Sequence, residues 1–280
     1  MPTKKQPGVV LLDSGVDPHP DLTDCVRVFI DFLHQRKKPY DDYGHGTHIA
    51  GIIAGTGKMS NGKRKGYSPG CPLYVLKILD EHGEGRREYV RRALDWIQTH
   101  KEQYNLRILN FSLGSGPGDT ANQQKILEMV DPMVEQGMIV IAAAGNLGPG
   151  RGSVTAPGSS KKVITVGASD MLKYTMVYSG RGPTKECVCK PDVVFPGSNI
   201  VSCCARCENR GLYCTKSGTS MSSAAVAGLT AELLKRYPKA THREIKNSMR
   251  YCCSTLHMDQ NAQGWGKLEP ALFLERNPSL

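Results

Sequence analysis

The sequence lacks any long apolar run. No stretch approaches the roughly 20 apolar residues that a membrane-spanning helix needs, so we expect no membrane partner. The start of the chain, from Met1 to Gly8, has a charged end but no apolar stretch of signal-peptide length. These features favour a cytoplasmic location, or a secreted one if a signal and a propeptide have been removed.

Acidic residues are in short supply. The chain has 26 Asp and Glu against 36 Lys and Arg, which gives a formal net charge of +10. A basic protein can bind nucleic acid. Here, however, the basic residues are scattered in short groups and no nucleic-acid-binding motif accompanies them. We therefore expect a solvated basic surface and no nucleic-acid partner.

The sequence also lacks internal repeats, low-complexity tracts and a clear linker, so its 280 residues are predicted to form a single domain, 1–280. Hydrophobic spacing predicts strands at 9–12, 73–79, 107–113, 138–142 and 162–167, and helices at 45–53, 88–100, 121–136, 219–237 and 241–251. Residues 14–44 are predicted as a loop that is rich in turn formers. Strands that alternate with helices indicate an α/β fold, with a mainly parallel central sheet in a three-layer α/β/α arrangement.

Several polar residues follow the predicted strands. Asp13, the segment 112–114 and the pair Gly145-Asn146 all come where a strand ends. In parallel sheets, ligands sit at the carboxyl ends of the strands. The sequence therefore predicts a functional site at this rim.

Three segments carry the chemistry: Asp13-Ser-Gly-Val-Asp17, Gly44-His-Gly-Thr-His-Ile-Ala-Gly51 and Ser217-Gly-Thr-Ser-Met221. Together they resemble the three active-site motifs of the subtilisin family, in that family's order of Asp, His and Ser. The resemblance implies a subtilisin-like fold and a serine endopeptidase that hydrolyses peptide bonds through an acyl-enzyme intermediate. The implied triad is Asp13, His45 and Ser220, while His48 is expected to be structural.

Each implied role has a physical reason. A serine hydroxyl is a poor nucleophile at neutral pH, so Ser220 needs His45 as an adjacent base. Asp13 would hold the imidazole tautomer and stabilise the imidazolium. By resemblance, the side chain of Asn146 and the backbone N–H of Ser220 would stabilise the developing oxyanion.

The same resemblance implies how a peptide or protein substrate is bound. Two segments would flank an extended peptide, Gly83-Glu84-Gly85 and Ser112-Leu113-Gly114. The first specificity pocket would have small walls, made by Ala142, Ala143, Ala144 and Gly145, and Thr155 at its floor. Arg87 lies where relatives line the pocket for the fourth residue before the cut, which predicts better tolerance of acidic residues there.

The sequence departs from the family pattern at three places. The proline and histidine that usually follow the catalytic serine motif are absent from Met221-Ser-Ser-Ala-Ala225. The stretch 59–66, where many relatives bind calcium, contains three cations. Asp21, outside this stretch, matches one ligand of the family, and Asn61, within it, is a candidate for another. We therefore expect no metal in the active site and no cofactor for catalysis, with weak structural calcium left open. Only 12 residues precede Asp13, which favours the bacterial intracellular type.

Ten cysteines are present, six of them between Cys187 and Cys214. Without a signal peptide, reduced thiols are expected, but disulfides remain open and the spacing is also compatible with zinc. A switch built on this cluster could coexist with catalysis. The alternative function is a catalytically silent, subtilisin-like binding or signalling protein.

Overall fold

A computed structural model describes residues 6–112, 120–172, 178–209 and 211–279. The strands are β1 Gly8–Asp13, β2 Val26–Asp31, β3 Leu73–Lys77, β4 Leu106–Phe111, β5 Ile139–Ala143, β6 Ile164–Ala168, β7 Val193–Phe195, β8 Ile200–Cys203, β9 Tyr213–Lys216, β10 Cys253–Ser254 and β11 Lys267–Leu268. The α-helices are α1 His45–Ala54, α2 Arg87–Tyr104, α3 Thr120–Glu135, α4 Thr219–Arg236, α5 His242–Tyr251, α6 Gln260–Gln263 and α7 Pro270–Glu275. This is the α/β class with a large, mainly parallel sheet that the alternating pattern predicts.

The chain divides into two compact units. The first contains Met1–Leu109, Val201–Cys214 and Ala227–Pro238. Its strands lie in the order β4-β1-β3-β2, and β3 pairs in parallel with both β1 and β2. Every residue of β1 and β3 is buried, as expected for parallel strands that are covered on both faces. Because β1 is buried along its whole length, Asp13 at its carboxyl end is fixed by the sheet.

The second unit contains Asn110–Ile200, Thr215–Val226 and Lys239–Leu280. Its strands lie in the order β10-β11-β7-β6-β5, with parallel pairs β5–β6 and β6–β7 and an antiparallel pair β10–β11. The apolar strands β5 and β6 are fully buried. The chain leaves β5 at Ala143, so Gly145 and Asn146 follow its carboxyl end.

Several short elements were not predicted, and β2 is one that lies within a predicted loop. The stretch 14–44 is not all loop, because Val26–Asp31 forms β2 and pairs with β3. Its β-branched and aromatic residues favour a strand, and most of them are only half buried, with Arg27 exposed. The turn formers on both sides of this short strand hide its pattern in the sequence.

The helices in the described part of the chain include none that is long and apolar enough to cross a membrane.

Candidate active site

In the first unit, Asp13 and His45 form a hydrogen-bonded pair. The Nδ1 of His45 lies 2.8 Å from Oδ1 of Asp13, and their side chains are 16% and 1% exposed respectively. A carboxylate can only accept, so Nδ1–H donates and Nε2 is the unprotonated ring nitrogen. The same Oδ1 also accepts from the backbone N–H of Ser14 at 2.8 Å. The pair therefore holds the imidazole as the tautomer that a general base requires.

Asp41 ties the loop after β1 to the start of α1. Its Oδ1 accepts from the hydroxyl of Ser14 and the N–H of Gly44, both at 2.8 Å. Its Oδ2 accepts from the N–H of Thr47 at 2.8 Å and from the Thr47 hydroxyl at 2.7 Å. The Ser14 hydroxyl in turn accepts from the N–H of Gly46 at 3.0 Å. N–H groups in the first turn of α1, which have no partner within the helix, are thus satisfied by residues that also hold Asp13 and His45 in place.

A buried lysine also holds the loop after β1 in place. Lys77, at the end of β3, is fully buried, and its ammonium donates to the carbonyls of Ser14 and Leu79 at 2.6 and 2.7 Å. It also pairs with Asp42 at 2.6 Å. A buried charge is tolerated only when it is paired and hydrogen-bonded, as here. Neither Lys77 nor Asp41 was singled out from the sequence. The available signals were a lysine ending the apolar strand Leu73–Lys77 and an aspartate just before a helix start.

In the second unit, Ser220 lies in the first turn of α4. Its hydroxyl is half-buried and donates to the carbonyl of Ser112 at 2.9 Å. The N–H of Ser220 belongs to the first turn of a helix, where N–H groups point away from the helix and the dipole favours negative charge. The side chain and the N–H of this one residue therefore offer a nucleophile and an anion donor.

Asn146 is exposed and is oriented by Thr219. Its Oδ1 accepts from the N–H of Thr219 at 3.0 Å and from the Thr219 hydroxyl at 3.1 Å. The Thr219 hydroxyl also accepts from the N–H of Gly145 at 3.1 Å. Since both bonds engage Oδ1, the amide is fixed with Nδ2 as the remaining donor. This amide lies next to Gly218, where a Cβ would come within 3.3 Å of Nδ2. Thr219 is a positioning residue that sequence reasoning passed over.

The predicted pocket wall is a buried strand end. Ala142, Ala143 and Ala144 are all buried at the end of β5, and the carbonyl of Ala144 accepts from the N–H of Thr155 at 3.1 Å. Thr155 is buried against Gly145, where a Cβ would lie only 2.5 Å from Oγ1 of Thr155. The structure thus places Thr155 beside two of the residues predicted to form the wall. Ser112 is also buried, while Leu113 and Gly114 lie outside the described residues.

The other predicted substrate segment is a tight turn in the first unit. Gly85 forms an antiparallel bridge with Leu79, and Glu84 accepts through its carbonyl from the N–H of Asp80 at 2.9 Å. Burial acts to raise the pKa of Asp80, but the backbone N–H groups of Glu84 and His82 outweigh it and lower that pKa. Gly83 has φ +77°, a left-handed conformation that favours glycine.

The surroundings of this turn bring it near His45, the histidine of the predicted triad. A Cβ on Gly83 would come within 2.6 Å of the Tyr43 ring, whose centroid is 6.3 Å from that of His45. Glu84 and Arg87 are both exposed, and Arg87 begins α2. His48 is fully buried within α1, and its carbonyl accepts from the Ser202 hydroxyl at 2.8 Å.

The donor set near Asp21 does not fit a calcium ion. Oδ1 of Asp21 accepts from the N–H of Met59 at 3.0 Å, and Oδ2 accepts from the Tyr213 hydroxyl at 2.5 Å. Burial, and then this bond to Asp21, raise the pKa of Tyr213 to about 12. Calcium needs six or more oxygen ligands, whereas the oxygens of Asp21 already bind protein donors. Asn61 lies in the same loop in a left-handed conformation, φ 50°.

Comparison with known proteins identifies the class. A model of the subtilase family of peptidases matches residues 4–266, so the chain belongs to the subtilase family.

Individual relatives agree with this assignment. The chain is 34% identical to the serine protease AprX of Bacillus subtilis (strain 168) over 272 residues, which cover 89% of this chain and 61% of that protein. It is 33% identical to subtilisin of Bacillus pumilus over 245 residues, which cover 86% of this chain and 81% of that protein. Among solved structures, the S41 psychrophilic protease superposes with a TM-score of 0.79 at 28% identity, covering 94% of this chain and 90% of that one. The chain spans about three fifths of the length of the curated relatives that match it first.

Proposed function

We propose that the protein is a serine endopeptidase whose catalytic triad is Asp13, His45 and Ser220. The observation that carries the proposal is the 2.8 Å hydrogen bond between His45 and Asp13, which leaves Nε2 of the imidazole as a proton acceptor. Membership of the subtilase family and the placement of Ser220 at the start of α4 support it.

The reaction would proceed through an acyl-enzyme. The Oγ of Ser220 attacks the carbonyl carbon of the scissile peptide while His45 takes its proton at Nε2. His45 then gives this proton to the leaving amine, and water releases the acyl group with the same histidine as base. In this structure the Ser220 hydroxyl donates to the carbonyl of Ser112, and in the proposed reaction its proton passes to Nε2 of His45.

The oxyanion would be bound by two donors of the second unit. One is Nδ2 of Asn146, which remains available because Thr219 engages the amide oxygen. The other is the N–H of Ser220 at the positive end of α4. Both donors are fixed before the reaction, so little reorganisation is needed when negative charge develops.

The substrate would be an extended peptide segment of a protein. Gly83, Glu84 and Gly85, together with Ser112, Leu113 and Gly114, would bind its backbone by strand addition, which tolerates many side chains. The residues Ala142 to Gly145 and Thr155 would shape the first pocket. Small walls favour a roomy, apolar pocket, and Thr155, which many relatives replace by glycine, would make its floor shallower.

We also propose that both units belong to one peptidase domain, 1–280, because the family match extends across both. Catalysis would need no cofactor, and any bound calcium would be weak and structural. None of the ten cysteines forms a disulfide, which supports a reducing, intracellular setting of the bacterial type. Counting thiols with a maleimide reagent in anaerobically purified protein tests this setting, and fewer than ten reactive thiols after denaturation would contradict it.

The function is tested with a fluorophosphonate probe and a peptide library. The probe should label Ser220 in the wild type, and the library should be cleaved at internal bonds. Ser220→Ala should lose both signals while keeping its circular dichroism spectrum. The matched control is Ser217→Ala, since Ser217 is exposed and its hydroxyl only accepts from the N–H of Asn199.

Two outcomes would refute the proposal. Unlabelled wild type without cleavage would instead indicate a silent binding protein. Cleavage that persists near the wild-type rate in Ser220→Ala would exclude Ser220 as the nucleophile.

A further inference from the structure

Two buried thiols and a carboxylate meet in the cysteine-rich segment of the first unit. The Sγ atoms of Cys204 and Cys214 each lie 3.4 Å from Oε2 of Glu208. All three candidate ligand atoms lie within 4.8 Å of one another, and both cysteines are buried. This cluster takes no part in the proposed peptidase chemistry.

The spacing matches that of a tetrahedral zinc site. With a Zn–S bond of about 2.3 Å and a Zn–O bond of about 2.1 Å, tetrahedral geometry puts sulfur and oxygen ligands about 3.6 Å apart. The S···O distances of 3.4 Å differ from that value by little, so an ion could enter with only small side-chain movements. Thiolates are soft ligands and favour zinc over calcium or magnesium.

We propose that Cys204, Cys214 and Glu208 bind one zinc ion. The inference does not depend on the proposed peptidase function, since it concerns different side chains and a different measurement. The chain supplies three ligands, which leaves the fourth position of the tetrahedron to an exchangeable group such as water.

The turn that carries Glu208 is held in place without a metal. The guanidinium of Arg206 forms a bidentate ion pair with the buried carboxylate of Asp17, at 2.9 and 2.7 Å. The backbone N–H of Arg206 donates to the same carboxylate at 2.8 Å. The N–H of Glu208 donates to the carbonyl of Ala205 at 3.1 Å. The backbone N–H of Cys204 donates to the carbonyl of Leu212 at 2.9 Å, which aligns the two cysteine-bearing strands. A site anchored in this way loses little conformational entropy when an ion binds.

Glu208 also packs against the start of the histidine helix. A Cβ on Gly44, the residue before His45, would lie 2.6 Å from Oε2 of Glu208. Gly44 has φ +83° and is the N-terminal cap of α1. An ion that fixes Glu208 would therefore stiffen the backbone next to His45, and we expect zinc to raise the melting temperature.

A neighbouring cluster provides a contrast. His19, Asp21 and Cys203 also lie within 4.8 Å of one another. There, however, Nε2 of His19 donates to the carbonyl of Leu212, Nδ1 accepts from the N–H of Asp21, and both oxygens of Asp21 accept from protein donors. An ion would have to break all of these bonds. At the proposed site, by contrast, the bonds of the two thiols to Glu208 join the candidate ligands to one another.

Proton exchange gives the site a distinctive signature. Zinc binds thiolates, so each cysteine ligand loses its proton when the ion enters. Binding is written as Zn²⁺ plus two thiols giving a zinc dithiolate and two protons. The affinity for zinc should therefore increase as the pH rises.

The test measures metal content and spectra rather than activity. Full-length protein is loaded with zinc, dialysed against metal-free buffer and analysed by mass spectrometry for zinc. We expect one zinc per chain in the wild type, loss in Cys204→Ser and Cys214→Ser, and weaker binding in Glu208→Gln. Cys71→Ala is the matched control, because Cys71 is a fully buried thiol of the same unit outside the cluster. Zinc should raise the melting temperature of the wild type and of the control, but not of the two serine variants.

Cobalt keeps the test decisive if a serine variant fails to fold. Wild-type protein titrated with Co²⁺ should show thiolate-to-cobalt charge-transfer bands and the visible bands of a tetrahedral site, with two protons released per ion. Three results would overturn the proposal: no retained zinc in the wild type, full retention in both serine variants, or a Cys204–Cys214 disulfide in protein purified anaerobically.

Discussion

A buried histidine in the second unit predicts how stability depends on pH. Nε2 of His242 donates to the carbonyl of Lys162 at 2.8 Å, while Nδ1 is buried without a hydrogen-bond partner among the described residues. Burial lowers the pKa of His242 from 6.5 to about 4, against the bond to Lys162, which raises it. Among the nearby charges, Lys246 and Lys190 lower this pKa and Asp192 raises it. His242 is therefore neutral in the folded protein.

The sign and size of the effect follow from linkage. A base whose pKa is depressed by folding binds fewer protons in the folded state than in the unfolded state. Its contribution to stability is complete above pH 6.5 and is lost as the pH falls from there towards 4. Each pKa unit corresponds to about 1.4 kcal/mol, so lowering the pH from about 7.5 to about 5.5 should cost about 1.4 kcal/mol from this residue alone.

The assay compares urea unfolding at these two pH values in the Ser220→Ala background, which prevents self-cleavage. His242→Gln keeps a donor for the carbonyl of Lys162 but does not titrate, so it should lose about 1.4 kcal/mol less than the parent over this interval. His82→Gln is the control, because the His82 side chain is 76% exposed. If His242→Gln and its parent lose the same free energy of unfolding, the reasoning is refuted.

Four further substitutions test the proposed oxyanion donor, the packing around α1 and the proposed substrate contact of Arg87. Asn146→Ala should lower turnover with little effect on substrate binding, by the factor of about 10²–10³ established for the subtilisin oxyanion asparagine; a pure KM defect would contradict this. Gly51→Ala should destabilise the protein by about 1–3 kcal/mol, because its Cβ would lie 2.3 Å from the Ser202 hydroxyl. Gly150→Ala should leave the free energy of unfolding nearly unchanged in the same urea assay, because a Cβ at this position would meet no atom within 4 Å. Arg87→Ala should reduce the preference for Glu over Leu four residues before the cut by no more than about fivefold, and an unchanged ratio would show that Arg87 does not bind substrate.

Long periodic elements could be predicted from the sequence because their local pattern agrees with their burial. The apolar run that ends in Asp13 is β1, and the small-residue helix at Ser220 is α4. Short elements were missed where the pattern has too few residues to show a period. The strand Val26–Asp31 is one case, and the two-residue strands near the C-terminus are another.

The residues of the proposed triad could be singled out from the sequence, whereas the residues that form hydrogen bonds around them could not. Asp13, His45 and Ser220 stand in recognisable motifs. Asp41, Lys77 and Thr219 act through hydrogen bonds to residues that the fold brings near, such as the 3.0 Å bond from the Thr219 N–H to Asn146. A single sequence carries no signal for such contacts, because aspartate, lysine and threonine are common in loops and at element ends.

The hydrogen bonds to Asp41 have a consequence for the conformational entropy that is needed to orient the imidazole of His45. Four donors from Ser14, Gly44 and Thr47 converge on this one carboxylate at 2.7–2.8 Å. The N–H of Tyr43 donates to the same carboxylate at 3.3 Å, so loss of any one donor leaves the other four in place. In the proposed mechanism, the entropy of aligning Asp13 and His45 would therefore be lost when the chain folds and not again at each turnover. Substrates of very different size would then meet the same prealigned pair.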